Sequence, residues 1–84
     1  MAKIDIYTSP FCGFCYRAKE LFEDKSVSFN EIDITAQPNS RNEMLERANG
    51  QRTVPQIFID DAHIGGCDDL YSLNAKGELD ALLS

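Results

Sequence analysis

Within the first 25 residues the spacing of apolar side chains changes from two to between three and four, and the change falls across Ser9-Pro10. Lys3-Ile4-Asp5-Ile6-Tyr7-Thr8 alternates apolar with polar and is rich in β-branched and aromatic residues, which predicts a strand that Ser9-Pro10 stops. From Gly13 to about Lys25, Phe14, Cys15, Ala18, Leu21 and Phe22 recur at three- and four-residue intervals, with Arg17, Lys19, Glu20 and Glu23 outside that stripe. This is the pattern of an amphipathic helix that buries one side. A strand running directly into such a helix returns to its sheet as a parallel neighbour, because only antiparallel strands can be joined by a tight turn.

Val27 to Ile34 reads as that second strand, with a slip in its alternation near Asn30-Glu31. Ser40 and Glu43 then have the spacing of a capping box, and Met44, Leu45 and Ala48 give an apolar face that stops at Asn49-Gly50. They predict a helix over roughly 41–49. Gln56-Ile57-Phe58-Ile59 and Ala62-His63-Ile64 flank Asp60-Asp61 as the arms of a tight hairpin, and Gly65-Gly66 breaks the second arm. Asp68 and Asp69 suit a helix start, and Leu70, Leu73, Leu79, Leu82 and Leu83 supply the apolar faces of one broken helix or two short ones. The order β-α-β-α-β-β-α predicts an α/β fold over one domain, residues 1–84: a four-stranded mixed sheet with helices on both faces, similar to a thioredoxin-like architecture.

Acidic residues outnumber basic ones 14 to 8, a net charge of −6, which argues against nucleic acid or a membrane surface as partner. Arg41, Arg47 and Arg52 nevertheless fall in one stretch that can meet a small anion. Charge interrupts Met1 to Tyr7 too early for a signal peptide, so a cytoplasmic location is expected. In such a reducing compartment a close pair of cysteines is more often catalytic or metal-binding than structural.

The pair is Cys12-Gly13-Phe14-Cys15, at the entrance of the first helix. Unpaired N–H groups and the positive end of the helix dipole favour the thiolate of Cys12, whereas Cys15, one turn in, faces the core. Cys12 is therefore expected to be the nucleophile and Cys15 the resolving thiol of a thiol–disulfide exchange. A zinc site written from Cys12, Cys15, His63 and Cys67 has suitable ligand types, but the inward-facing Cys15 and a histidine on the hairpin argue against it.

Taken in order, Tyr7-Thr8, Cys12-Gly13-Phe14-Cys15, Thr53-Val54-Pro55 and Gly65-Gly66-Cys67-Asp68-Asp69 resemble the glutaredoxins over essentially the whole chain. The resemblance implies glutathione as co-substrate, glutathionylated or disulfide-containing proteins as partners, and a monomer. It implies a glutathione site made by Phe14, Thr53, Val54, Pro55, Gly66, Cys67 and Asp68, with Pro55 cis, Val54 pairing through its backbone, and Asp68 facing the γ-glutamyl ammonium. A lysine common three residues before the first cysteine is here Ser9, which leaves Arg41, Asn42 and Arg52 as candidates for the glycine carboxylate. Gly13 stands where proline is common, and Phe14 where tyrosine is. The resemblance also carries an alternative: a 2Fe-2S cluster bound by Cys12 of two subunits and two glutathiones, which would bridge a homodimer. A thioredoxin-type role, with reduction independent of glutathione, is a third reading.

Overall fold

The computed structural model describes residues 2–84. Strand β1 (Ile4–Thr8) leads into helix α1 (Gly13–Asp24), strand β2 (Asn30–Asp33) and helix α2 (Ser40–Arg47). Strands β3 (Gln56–Ile59) and β4 (Ala62–Gly65) follow, then helices α3 (Cys67–Ala75) and α4 (Leu79–Leu83). The sheet order is β2-β1-β3-β4, with β1 parallel to β2 and antiparallel to β3, and β3 antiparallel to β4. This is the expected mixed four-stranded sheet.

Its two faces are built differently. Ile4, Ile6, Ile57 and Ile59 pack against Ala18, Leu21 and Phe22 of α1, Cys67 and Leu70 of α3, and Leu79 and Leu83 of α4. On the other face Tyr7, Ile32 and Phe58 meet Met44 of α2 and Ala48 at its C-cap, with Ile34 and Val54 packed against them. A wholly buried large apolar side chain contributes about 1.5–3 kcal/mol, so α2 is held by fewer such contributions than α1. Arg47 makes up part of the difference. Its guanidinium lies 4.0 Å from the centroid of the Phe58 ring, donates to Tyr7 Oη at 2.9 Å and pairs with Asp5 at 3.2 Å.

All five residues of β1 are buried, so its alternation separates two covered faces and not core from solvent. Asp5 is buried because Arg47 and Asn30 meet its carboxylate, and Thr8 because its hydroxyl donates to Glu31 at 2.8 Å. β2 is shorter than the expected 27–34. Its pairing with β1 runs only from Asn30 to Asp33, while the Val27 N–H is drawn back to the Phe22 carbonyl to close α1.

The Ser40–Glu43 capping box does not form. Asn39, in a left-handed conformation, precedes a helix that begins at Ser40; the Ser40 hydroxyl turns back to the Gln37 carbonyl, and Glu43 accepts the Tyr7 hydroxyl. At the hairpin, Asp60 and Asp61 both have positive φ, the geometry of a two-residue turn that matches strand twist. Between α3 and α4, Gly77 at φ 76° breaks the apolar run into two helices.

Candidate active site

β1 ends in a loop whose last residue, Phe11, has φ 60° and a fully exposed ring. Cys12 follows in extended conformation as the N-cap of α1. In this place its sulfur accepts the Cys15 N–H at 3.2 Å, one of the donors that a helix start leaves without an intrahelical partner. The Cys12 thiol in turn points at the Val54 carbonyl, 3.7 Å away. A sulfur that receives a backbone N–H at the positive end of a helix is placed to carry negative charge.

Cys15 is different in kind. It is 2% exposed, and burial pushes its thiol up to about 12, with its hydrogen bond to Cys12 adding to the rise; the Ser9 backbone and the Lys19 charge oppose both. Burial also raises Cys67. All three cysteines are free thiols, and Cys12 alone is partly exposed. Gly13 occupies the first helical position, where an added Cβ would meet nothing within 4 Å, so space does not demand glycine there.

Beside this pair lies a groove of about 340 Å3. One wall is the segment Gln51, Thr53, Val54, Pro55 and Gln56; the facing wall is the start of α3, Gly66, Cys67, Asp68 and Asp69; Phe14 closes one side. The Val54-Pro55 bond is cis. A Cβ on Gly66 would come within 3.5 Å of the Pro55 carbonyl oxygen, which shows how closely the walls approach.

Gly65 has φ 116°, and a Cβ there would stand 2.2 Å from Asp69 Oδ2. Glycine is thus required for the turn that lets Asp69 accept the Gly66 N–H at 2.9 Å. Asp69 caps α3, whereas Asp68 lines the groove and has no hydrogen bond or ion pair among the described residues.

Phe14, Thr53, Val54, Pro55, Gly66, Cys67 and Asp68, named from the sequence, all line this groove. Arg41, Asn42 and Arg52 are exposed and outside its lining. Gln51, Gln56 and Asp69 were not foreseen as lining residues. Gln51 was signalled only by lying two positions before Thr53, and Gln56 by being a polar residue in an otherwise apolar strand.

The zinc reading fails on topology. His63 stacks on Phe58 on the α2 side of the sheet, whereas Cys67 belongs to the core on the α1 side. Among the described residues no three His, Cys, Asp or Glu side chains gather to hold a metal, and no helix is long and apolar enough to cross a membrane.

A β2-β1-β3-β4 mixed sheet with a cysteine pair at the start of α1, facing a cis-proline, defines a thiol–disulfide oxidoreductase of thioredoxin-like fold. The glutaredoxin family model matches residues 4–64, and the chain belongs to the glutaredoxin family. It is 55% identical over 83 residues to glutaredoxin 3 of Escherichia coli K12, covering 99% of both chains. The solution structure of a Brucella melitensis glutaredoxin superposes with a TM-score of 0.84 at 54% identity, over 99% of this chain and 89% of that one. A buckwheat glutaredoxin–glutathione complex gives a TM-score of 0.88 at 30% identity, over 98% of this chain and 76% of that one.

Proposed function

We propose that the chain reduces glutathione mixed disulfides and protein disulfides, with glutathione as the reductant and Cys12 as the nucleophile. The observation that carries this is the contrast between the two sulfurs: Cys12 is accessible and accepts an N–H at a helix start, while Cys15 is buried and held as a thiol. The Cys12 thiolate attacks the glutathionyl sulfur of a mixed disulfide, the old S–S bond breaks, and the substrate leaves as a thiolate that takes a proton from water. A second glutathione thiolate then attacks the glutathionyl sulfur on Cys12, releasing oxidised glutathione and restoring the Cys12 thiolate. Alternatively Cys15, once deprotonated, attacks Cys12 sulfur, closes the internal disulfide and expels glutathione.

In this reading glutathione runs along the groove. Its γ-glutamyl carboxylate meets the free N–H groups at the start of α3 and its ammonium meets Asp68; its sulfur lies at Cys12 beside the Val54 backbone. The glycine carboxylate is then left for the Gln51–Thr53 end, where the exposed Arg52 adds positive charge. The glutathione complex of the buckwheat neighbour supports glutathione as the ligand. The alternative reading, a 2Fe-2S cluster bridging two chains, would draw on the one partly exposed sulfur of each, Cys12.

The test is turnover of a glutathionylated peptide with glutathione. Cys12→Ser should abolish it and Cys15→Ser should retain it. Full activity in Cys12→Ser would refute the assignment, and undiminished wild-type reduction by a flavoenzyme in the absence of glutathione would replace it with a thioredoxin-type role.

A further inference from the structure

Gln56 is wholly buried at the start of β3, yet its side chain is an amide. Its Oε1 faces His63 Nε2 at 2.7 Å, while its Nε2 donates to Thr53 Oγ1 at 3.1 Å and to Gln51 Oε1 at 3.3 Å. An amide nitrogen has two protons, and both are used. The direction of the whole set is therefore decided by which end of Gln56 meets the imidazole. With Oε1 toward it, His63 must donate from Nε2. Gln51, its oxygen engaged, is left with its NH2 for the groove, and Thr53, its oxygen accepting, is left with a hydroxyl proton to donate.

We propose that His63 and Gln56 are positioning residues that set the hydrogen-bond polarity of the Gln51–Thr53 wall, making it a wall of donors that selects a carboxylate over a neutral amide on the bound substrate. The proposal rests on the glutathione reading above, in which the glycine carboxylate is the group left for this wall. His63 is well placed to hold a fixed direction. Its ring stacks on Phe58 with centroids 5.0 Å apart, and Phe58 is itself clamped by Tyr7 edge-on and by the Arg47 guanidinium. Were the imidazole to accept at Nε2, Gln56 would turn over, Gln51 would show its carbonyl to the groove, and the wall would repel an anion.

Wild type, Gln56→Glu and His63→Phe are compared on a glutathione mixed disulfide and on the same disulfide with the glycine carboxylate converted to an amide. A glutamate at 56 only accepts, so it turns the Gln51 NH2 and the Thr53 hydroxyl away from the groove; phenylalanine at 63 keeps the ring stack and removes the N–H. Wild type should prefer the carboxylate substrate by about tenfold in KM, the scale of one hydrogen bond to a charged group. Both variants should lose that preference through a raised KM for the carboxylate substrate, with kcat and the amide substrate's KM unchanged. An equal rise for both substrates, as general disruption would give, or a retained preference overturns the proposal. A wild type that uses neither substrate refutes the glutathione reading; one that uses both with equal KM refutes the relay alone. A second measurement needs no variant: His63 is the only histidine, so nitrogen-15 spectra of its ring report its tautomer directly. A proton on Nε2 is expected, and an Nε2 without one overturns the relay.

Discussion

Serine in place of Cys15 changes one atom of a side chain that is 2% exposed, and two magnitudes follow from what surrounds it. The first concerns turnover: Cys15 takes no part in the exchange between Cys12 and a second glutathione, so reduction of a glutathione mixed disulfide should stay within about twofold of wild type. The second concerns stability against pH. Burial raises the Cys15 thiol from 9.0 to about 12, so the folded chain holds this proton more tightly than the unfolded one. Its contribution is fully present below pH 9 and is lost as pH rises toward 12. At pH 10 the unfolded Cys15 is about nine-tenths ionised and the folded one is not, a loss of about 1 kcal/mol that grows to about 4 kcal/mol near pH 12. Serine does not titrate in this range. In urea, where the slope is about 1–3 kcal/mol per molar, the wild-type midpoint should therefore fall by about half a molar more than that of Cys15→Ser between pH 7 and 10. Equal falls in the two proteins would show that Cys15 is not held as a thiol by burial, and would remove the physical basis for its unequal role.

Four further substitutions separate the jobs of individual residues. Gly65→Ala forces a Cβ onto Asp69 at a backbone φ of 116° and should cost about 2 kcal/mol, read as a lower denaturation midpoint together with weaker glutathione binding. Asp68→Asn should raise KM for the glutathionylated substrate about tenfold with stability unchanged, while Asp69→Asn should do the reverse, lowering stability by about 1 kcal/mol through the weakened cap; an Asp68 variant that lost stability instead would place the cap on the wrong residue. Arg47→Met leaves the Asp5 carboxylate, 7% exposed, without its main partner. The expected loss is about 2–3 kcal/mol, less than for a fully buried pair because about a quarter of the Arg47 side chain is exposed, and calorimetry would measure it.

The elements were legible in the sequence wherever one face of a segment meets one core. The α1 stripe is such a case and stands where its periodicity places it, while the hairpin, whose first arm is buried on both faces, was legible from its Asp60-Asp61 turn. Legibility ended where a residue serves a distant partner. Glu43 has the spacing of a capping residue, but the Tyr7 hydroxyl, 36 residues away in sequence, takes its carboxylate. Asp5 reads as the solvent side of a half-buried strand until Arg47, 42 residues on, is placed across it. The site followed the same rule. The thiols and the glycine-rich turn are local motifs and were readable, whereas Gln51 and Gln56 matter through bonds to each other and to His63, which only the β3–β4 pairing assembles.

The two sheet faces divide the work that the site requires. The apolar face fixes α1 and α3, and with them Cys12, Cys15 and the turn that frees Asp68, by packing that is indifferent to direction. Placing a groove wall needs more than packing, since Gln51 to Pro55 is a loop between α2 and β3 with no helix or strand of its own. Polar side chains on the opposite face supply the direction. Asp61 and Asp5 hold Arg47, Arg47 lies against Tyr7 and Phe58, Phe58 stacks His63, and His63 meets Gln56, which bonds both Thr53 and Gln51. Burying Asp5 and Gln56 costs desolvation that an apolar pair would avoid. Every buried side-chain nitrogen and oxygen among the described residues is nevertheless bonded, so that cost is offset bond by bond. What the polar set adds beyond an apolar one is orientation: hydrogen bonds accept one arrangement of α2 and the loop after it, where packing alone would accept several.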